Sequence, residues 1–200
     1  MTPAALRLRL AEIAAEPFDT TPDHAGDVLP GLGKAPVPAA VLVPIVLAEA
    51  PGILLTKRTA HLSSHAGQVS FPGGRIDPGD SGPEAAALRE AQEEIGLDPA
   101  CVAVLGRLPD HLTGTGFRIT PVLATVPPAQ LFALSPHEVE SIFELPLSVL
   151  LDPQAPRRQR QHVRGVWREY WVWPHPEHYI WGATAAILVR LAERLRERMT

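Results

Sequence analysis

Residues 73–97 read Gly-Gly-Arg-Ile-Asp-Pro-Gly-Asp-Ser-Gly-Pro-Glu-Ala-Ala-Ala-Leu-Arg-Glu-Ala-Gln-Glu-Glu-Ile-Gly-Leu. The first part is rich in glycine, proline and aspartate, as loops are, and the second part is typical of one short helix. We expect Ser81 to cap the start of this helix, with Glu84 three residues later completing a Ser-x-x-Glu capping box. We expect Gly96 to end it in the left-handed conformation, with Leu97 folding back on the last turn. The stretch therefore predicts a loop that leads into a helix with a defined start and end.

The predicted helix concentrates negative charge on one side. At 100° per residue, an apolar side is opposed by carboxylates: the apolar residues are Leu88, Ala91 and Ile95, and the carboxylates are Glu90, Glu93 and Glu94. Glu90 and Glu94 are four residues apart, so their side chains repel each other unless a cation lies between them. Oxygen-only ligands suit a hard ion such as Mg²⁺ or Mn²⁺. A solvated acidic face is the alternative interpretation, and it is the commoner state of a Glu-rich helix.

The same stretch resembles the Nudix box, Gly-x5-Glu-x7-Arg-Glu-U-x-Glu-Glu-x-Gly-U with U apolar. Residues 89–97 match every specified position of its second half when Ala91 counts as apolar. The first half departs from the pattern. Counting forward from Gly74 puts Asp80 where the first glutamate belongs, and counting back from the second half puts Ser81 there. The loop is therefore one residue longer than the general pattern.

The longer loop resembles that of the coenzyme A pyrophosphatase branch, in which Phe-Pro-Gly-Gly precedes a basic residue and an Asp-Pro-x-Asp segment, as at residues 71–80 here. That branch also carries the upstream pattern Leu-Leu-Thr-x-Arg-(Ser/Ala)-x3-Arg-x3-Gly-x3-Phe-Pro-Gly-Gly. The chain matches it in register at Leu54, Leu55, Thr56, Arg58, Gly67 and 71–74. It departs at Thr59, where the branch has serine or alanine, and at Ser63, where the branch has arginine. The loss of that arginine weakens the substrate assignment and leaves the fold assignment intact.

The resemblance implies an α/β fold, a Nudix-type α/β/α sandwich with a mixed β-sheet between helices. We expect one domain over residues 1–200, with an N-terminal helix and linker over about 1–36 and the Nudix box at 74–97. The hydrophobic pattern agrees with such a mixture. It predicts helices at 3–15 and 184–199, a helical turn at 146–151, and strands at 39–47, 52–57, 69–71, 102–108, 119–126 and 138–144, with one or two more in 161–173. Residues 18–36 read as an irregular linker.

The box implies metal-dependent cleavage of a pyrophosphate linkage, in which divalent ions neutralise charge and activate a water molecule. Glu90 and Glu94 are the predicted direct ligands of Mg²⁺ or Mn²⁺. Glu93 is the third catalytic carboxylate, as a ligand or as a proton acceptor. Glu138 is a candidate general base, with Glu140 as the other possibility, and a surface carboxylate at a strand edge is the plainer interpretation of either.

Substrate-binding candidates lie before the box and near the C-terminal half. Arg58 and Arg75 are candidate phosphate contacts, with surface ion pairing as an equal alternative. Gly73 and Gly74 either allow a close backbone approach or form a tight turn. In a coenzyme A hydrolase, Arg157 and Arg158 would contact the 3′-phosphate or stack on the adenine. The alternative for this arginine cluster is a solvated turn that joins two strands.

Three functions are compatible with these residues. The first is hydrolysis of coenzyme A and its thioesters to 3′,5′-ADP and 4′-phosphopantetheine or its acyl form. The second is hydrolysis of ADP-ribose or another nucleoside diphosphate derivative. The third is a non-catalytic Nudix domain that senses a nucleotide, which has no need for three crowded carboxylates.

Composition limits the class of protein to which the chain can belong. The 200 residues are 46% hydrophobic and 20% charged, which fits a globular domain with a full core. The net charge of −4 gives no basic footprint for nucleic acid. The apolar region from 37 to 55 is interrupted by proline, glycine and glutamate, so we expect no membrane span. The single Cys101 and the lack of a signal-like N-terminus predict a cytoplasmic protein. Whether it is a monomer or a homodimer stays open.

Overall fold

The structure is a computed structural model that describes residues 2–16, 35–62, 65–163 and 165–198. The expected linker at 18–36 falls almost wholly outside the described residues, and Ser63 lies outside them too. Among the helices that are described, none combines the length and apolar character needed to cross a membrane.

Runs of strands are separated by helices along the chain, largely as the hydrophobic pattern predicts. The helices are α1 Pro3–Ala15, α2 Pro83–Ile95, α3 Leu147–Leu151 and α4 Gly182–Glu197, with a 3₁₀ turn at Pro99–Cys101. The strands are β1 Val37–Val46, β2 Gly52–Arg58, β3 Val69–Ser70, β4 Gly73–Arg75, β5 Ala103–Arg107, β6 His111–Leu112, β7 Phe117–Val126, β8 Val139–Pro146, β9 Arg157–Val163, β10 Val166–Trp173 and β11 Ile180–Trp181. The sequence pattern did not predict β4, β6 or β11, which are too short to show a period.

The main sheet is mixed and has eight strands. Its central order is β3-β2-β1-β7-β5, with β4 paired to β1, β6 to β7 and β8 to β2. β1 and β7 run parallel over their full lengths, from Val37 beside Phe117 to Val46 beside Val126, and the other pairs are antiparallel. A central strand covered on both faces is expected to be apolar throughout, as most of β1 is.

The two faces of the sheet carry two different cores. Val43 and Ile45 of β1 face the core that includes α1 and α4. Ala40 and Leu42, which alternate with them, face the core that includes α2. The predicted fold class, an α/β arrangement with a mixed sheet between helices, is confirmed.

A second, three-stranded antiparallel sheet has the order β11-β10-β9 and packs on α4. Near its β11 end, the Thr184 hydroxyl donates to the Val69 carbonyl at 3.1 Å and ties α4 to β3. The interpretation of the arginine cluster as a turn is wrong for Arg157 and Arg158, because both lie in β9. Residues 157–162 are all exposed, so this strand lacks the apolar alternation that would have revealed it.

Helix α2 begins at Pro83, so the predicted capping box at Ser81 is wrong. Gly82 precedes the helix and no side chain caps it. Proline suits the first helical position because its fixed φ is already helical. Glu84 is then too close to the helix start for the box, and its carboxylate instead accepts from Arg107 at 2.6 and 2.7 Å. These hydrogen bonds lower the pKa of Glu84.

Helix α2 ends as the sequence predicts. Gly96 has φ of 68°, and its N–H donates to the Gln92 carbonyl at 2.9 Å. The N–H of Leu97 donates to the Ala91 carbonyl at 3.3 Å, and its side chain is buried. A Cβ on Gly96 would lie 2.9 Å from both the backbone nitrogen and the Cβ of Ala133.

Gly96→Ala should therefore destabilise the protein by about 2 kcal/mol or more, because alanine is strained in the left-handed conformation and would also meet Ala133. Gly79→Ala is the matched control, since a Cβ there meets nothing within 4 Å. Urea unfolding of both variants measures the difference. Equal unfolding midpoints would contradict this account of the helix end.

Candidate functional site

The Glu94 carboxylate is buried between α2 and the sheet. Only 2% of the residue is exposed. Its Oε2 accepts from the N–H of Gly73 at 3.1 Å, and its Oε1 lies 3.3 Å from Nη1 of Arg58. The alternative interpretation of a solvated acidic face is therefore wrong for Glu94, because β4 covers this part of the helix.

Burial raises the pKa of Glu94 to about 7. The Gly73 N–H and the Arg58 guanidinium act in the opposite direction, because both stabilise the ionised form. The charges of Glu90 and Glu138 raise the pKa further, so these two carboxylates lie near enough to act on it. Several carboxylates therefore lie close together where water is partly excluded.

Glu90 lies beside Glu94 on the same helix and is partly buried. Its Oε1 accepts from Nη1 of Arg89 at 3.0 Å. Burial is the main cause that raises its pKa, with smaller contributions from the charges of Glu93 and Glu138. The repulsion expected between Glu90 and Glu94 is thus relieved by two different arginines, with Arg89 on Glu90 and Arg58 on Glu94.

The glycine pair forms strand β4, which passes close to both β1 and α2. A Cβ on Gly73 would lie 2.4 Å from the Ala40 carbonyl oxygen, and its φ is 154°. A Cβ on Gly74 would lie 2.5–2.7 Å from the Glu90 carboxylate. Of the two sequence interpretations, close backbone approach describes these residues and a tight turn does not.

Arg89 connects the box loop to the helix. Its Nε and Nη2 donate to the two carboxylate oxygens of Asp80 at 3.1 and 3.0 Å, and this pairing lowers the pKa of Asp80. Nη2 also donates to the Arg75 carbonyl at 3.2 Å, and Nη1 donates to Glu93 at 3.0 Å. Arg89 therefore holds the box together, and Asp80 is its hydrogen-bonded partner in the loop.

The loop of residues 127–138, which joins β7 to β8, lies over the last turn of α2. The Ala133 N–H donates to the Ile95 carbonyl at 3.0 Å, and the Ser135 N–H donates to the Glu94 carbonyl at 2.9 Å. These bonds satisfy carbonyls that the end of a helix leaves unpaired. Sequence reasoning missed this contact, since backbone donors carry no residue signature.

The two candidate bases have different surroundings. Glu138 is exposed, and its charge raises the pKa of Glu90 and Glu94. Glu140 instead pairs with Lys57 at 2.6 Å, and an irregularity in the β2–β8 pairing falls at this point. A bulge of this kind redirects neighbouring side chains. The structure therefore brings Glu138, and not Glu140, to the carboxylates of α2.

The predicted substrate arginines have different partners. Arg58 pairs with Glu94, and its Nε is buried with no hydrogen-bond partner among the described residues. Arg75 lies 5.7 Å from the ring centre of Phe117. Arg158 lies 4.4 Å over the ring of Trp171, and Arg157 is beside Val172 in the second sheet. The contacts found in the described ranges connect neither Arg157 nor Arg158 to α2.

The donor chemistry suits a hard cation. The described part of the chain contains no preassembled group of three His, Cys, Asp or Glu side chains that could hold a metal. Glu90, Glu93 and Glu94 are instead paired with arginines, as given above. Their oxygens are nevertheless the ligand type that Mg²⁺ and Mn²⁺ prefer, and a bound cation would favour ionisation of the buried carboxylate.

The NUDIX domain family matches residues 36–182 of this chain. Two curated relatives are both named "Uncharacterized Nudix hydrolase NudL". The Cronobacter sakazakii protein is 44% identical over 160 residues, covering 80% of this chain and 83% of its own length. The Escherichia coli K12 protein is 43% identical over 159 residues, covering 77% and 80%.

Solved structures share the fold. A MutT/nudix family protein from Enterococcus faecalis has a TM-score of 0.54 and 15% identity, covering 84% of this chain and 65% of its own. The NUDIX domain of Shewanella oneidensis NrtR, in complex with ADP ribose, has a TM-score of 0.51 and 21% identity, covering 84% and 90%. At these identities the likeness concerns the fold alone.

We predict that Glu94→Gln changes the pH dependence of stability in the metal-free protein. A carboxyl whose pKa is raised from 4.5 to about 7 stabilises the native state below pH 4.5, and that stability is lost as pH rises to about 7. The variant should therefore gain on the wild type between these values, by at most about 3 kcal/mol. Urea unfolding in a chelator at several pH values measures this gain.

Glu93→Gln is the control for this experiment, because the Glu93 side chain is 59% exposed and also pairs with an arginine. We expect its difference from the wild type to stay nearly constant with pH. If Glu94→Gln behaves in the same way, the pKa of the buried carboxylate is not raised as described.

Proposed function

Since this chain belongs to the NUDIX family, we propose that it is a metal-dependent pyrophosphohydrolase of coenzyme A and its thioesters. The products would be 3′,5′-ADP and 4′-phosphopantetheine or its acyl form. The observation that carries the proposal is the pair of carboxylates Glu90 and Glu94 packed against β4, with Glu138 near enough for its charge to raise the pKa of both. Glu94 is buried and Glu90 partly buried, and Glu138 belongs to a separate loop.

Glu90 and Glu94 are the residues that would hold Mg²⁺ or Mn²⁺, with Glu93 as a further ligand. The bound ion supplies charge neutralisation of the pyrophosphate and a more acidic water molecule. Gly74 leaves the space that the Glu90 carboxylate fills. Arg89 orients Glu90 and Glu93 through hydrogen bonds of 3.0 Å to each.

Glu138 is the proposed acceptor of the proton from the attacking water. It comes from the loop over α2, so it approaches the ligand carboxylates from a separate element. An exposed carboxylate is free to exchange the proton with solvent after each turnover. Glu93 remains the alternative proton acceptor, because it too is exposed and lies on the same helix.

The arginines near the site are the proposed phosphate contacts. Arg58 uses one terminal nitrogen for Glu94 and keeps a buried Nε without a partner in the described structure. Arg75 follows the glycine pair directly in β4. Guanidinium groups in such places suit the oxygens of a diphosphate, since they donate in a planar fork. Gly73 and Gly74 are proposed substrate contacts through their backbone only, because β1 and Glu90 fill the space that side chains would take.

Coenzyme A is favoured over other diphosphates by the residues before the box. The upstream pattern from Leu54 to Gly74 and the Asp80 loop resemble the coenzyme A branch. ADP-ribose or another nucleoside diphosphate derivative is the alternative, and the NrtR domain that shares the fold was solved with ADP ribose. A non-catalytic sensing domain is the second alternative, and the three glutamates of α2 argue against it.

We predict that the purified protein, with Mg²⁺ or Mn²⁺, releases 3′,5′-ADP from coenzyme A faster than it hydrolyses ADP-ribose, NADH or nucleoside triphosphates. A Glu90→Gln/Glu94→Gln double variant should lose more activity than the roughly 10–100-fold typical of losing an outer-shell partner. Chromatographic product analysis measures both results.

Glu193→Gln is the control for that variant, because Glu193 is an exposed residue of α4. It should hydrolyse coenzyme A at the wild-type rate. Absence of 3′,5′-ADP with the wild type would refute the substrate, and full activity of the double variant would refute the assigned ligands.

We also propose that Arg157 and Arg158 recognise the 3′-phosphate of coenzyme A. Replacing both with alanine should reduce the preference for coenzyme A over dephospho-coenzyme A by about tenfold, the loss expected when a charged hydrogen bond is removed. The ratio of kcat/KM for the two substrates measures this preference.

Arg160→Ala is the matched control, because Arg160 lies in the same strand and already pairs with Glu169 at 2.9 Å. Its preference should equal that of the wild type. An unchanged preference in the Arg157→Ala/Arg158→Ala variant would remove this strand from substrate recognition.

A further inference from the structure

Thr59 follows β2 directly and bonds to the segment that carries Glu138. Its hydroxyl donates to the His137 carbonyl at 3.1 Å, and its N–H donates to the Glu138 carbonyl at 3.0 Å. The residue is only 7% exposed. Its own carbonyl accepts from the N–H of Gly67 at 3.3 Å. Thr59 thus uses its hydroxyl and both backbone polar groups at one junction.

The segment around Glu138 is exposed, so packing contributes little to its position. Residues 136–138 are all exposed. The carbonyl of Ser135 accepts from the N–H groups of Glu138 and Val139 at 3.1 and 2.9 Å, which closes a tight turn. The N–H of the same serine anchors this turn to α2 at the Glu94 carbonyl. Hydrogen bonds from α2 and from Thr59 therefore fix the turn from two sides.

Two consecutive residues at the end of β2 hold the two glutamates in different ways. Arg58 reaches Glu94 through its side chain, and Thr59 reaches the backbone on either side of Glu138. Residues 58 and 59 thus link the position of Glu138 to that of Glu94. A β-branched residue has few χ1 rotamers, so the threonine hydroxyl is held in its bonding direction.

We infer that Thr59 is a positioning residue that holds Glu138 beside the last turn of α2 through its hydroxyl bond to His137. The inference rests on the proposed function, in which Glu138 accepts the proton. Thr59 itself touches neither substrate nor metal in this scheme.

The test compares Thr59→Val, which keeps the shape and removes the hydroxyl, with Thr59→Ser, which keeps the hydroxyl. Loss of one hydrogen bond should lower kcat for coenzyme A about fivefold in the valine variant, with KM nearly unchanged. The serine variant should retain most of the wild-type kcat. In a Glu138→Gln background, the valine substitution should cause no further loss, because its effect passes through that carboxylate.

Hydrogen exchange gives a readout that needs no turnover. The amides of Glu138 and Val139 should exchange about five times faster in metal-free Thr59→Val than in the wild type or Thr59→Ser. Thr184→Val is the matched control, because its buried hydroxyl also donates to a backbone carbonyl at 3.1 Å. It should leave exchange at residues 135–139 unchanged.

Unchanged exchange in Thr59→Val would overturn the inference, and so would a fivefold loss of kcat that persists in the Glu138→Gln background. A wild type that releases no 3′,5′-ADP refutes the proposed substrate instead. The exchange comparison still decides the role of Thr59 in that case, and kcat is then measured on whichever diphosphate is hydrolysed.

Discussion

Burial disfavours the ionised form of Glu94, and the surrounding elements offset part of that cost. An isolated buried carboxylate is costly, so it needs hydrogen bonds and opposite charge. The Gly73 N–H and the Arg58 guanidinium provide both, and they come from β4 and β2. The loop from residue 127 to 138 bonds to the backbone of the same glutamate. The helix, the sheet and the loop therefore all form bonds to this one glutamate.

The two faces of the main sheet serve different purposes. Helices α1 and α4 cover one face with a large apolar core. Helix α2 covers the other face with small residues such as Ala87 and Ala91, which let the helix lie close to β1 and β4. That close approach leaves room for a glutamate only because β4 is made of glycines where it passes Glu90. The sequence of the helix and that of the strand therefore constrain each other.

Sequence reasoning succeeded where the signal was local and failed where it depended on distant neighbours. The end of α2 at Gly96 follows from a rule about adjacent residues, and it was predicted. The burial of Glu94 was not, since a helical projection contains no information about β4. The predicted helix start at Ser81 was wrong because Pro83 takes the first helical position. The Thr59 bond spans 78 residues and has no local pattern at all.

The loop over α2 is attached through main-chain donors at Ala133 and Ser135. Every amino acid except proline has such a donor. The loop can therefore exchange its side chains, among them Leu131 at 94% exposure, without losing its place over the helix. A protein built in this way can vary the side chains that surround the carboxylates of α2 by simple substitution, while the main-chain attachment stays the same.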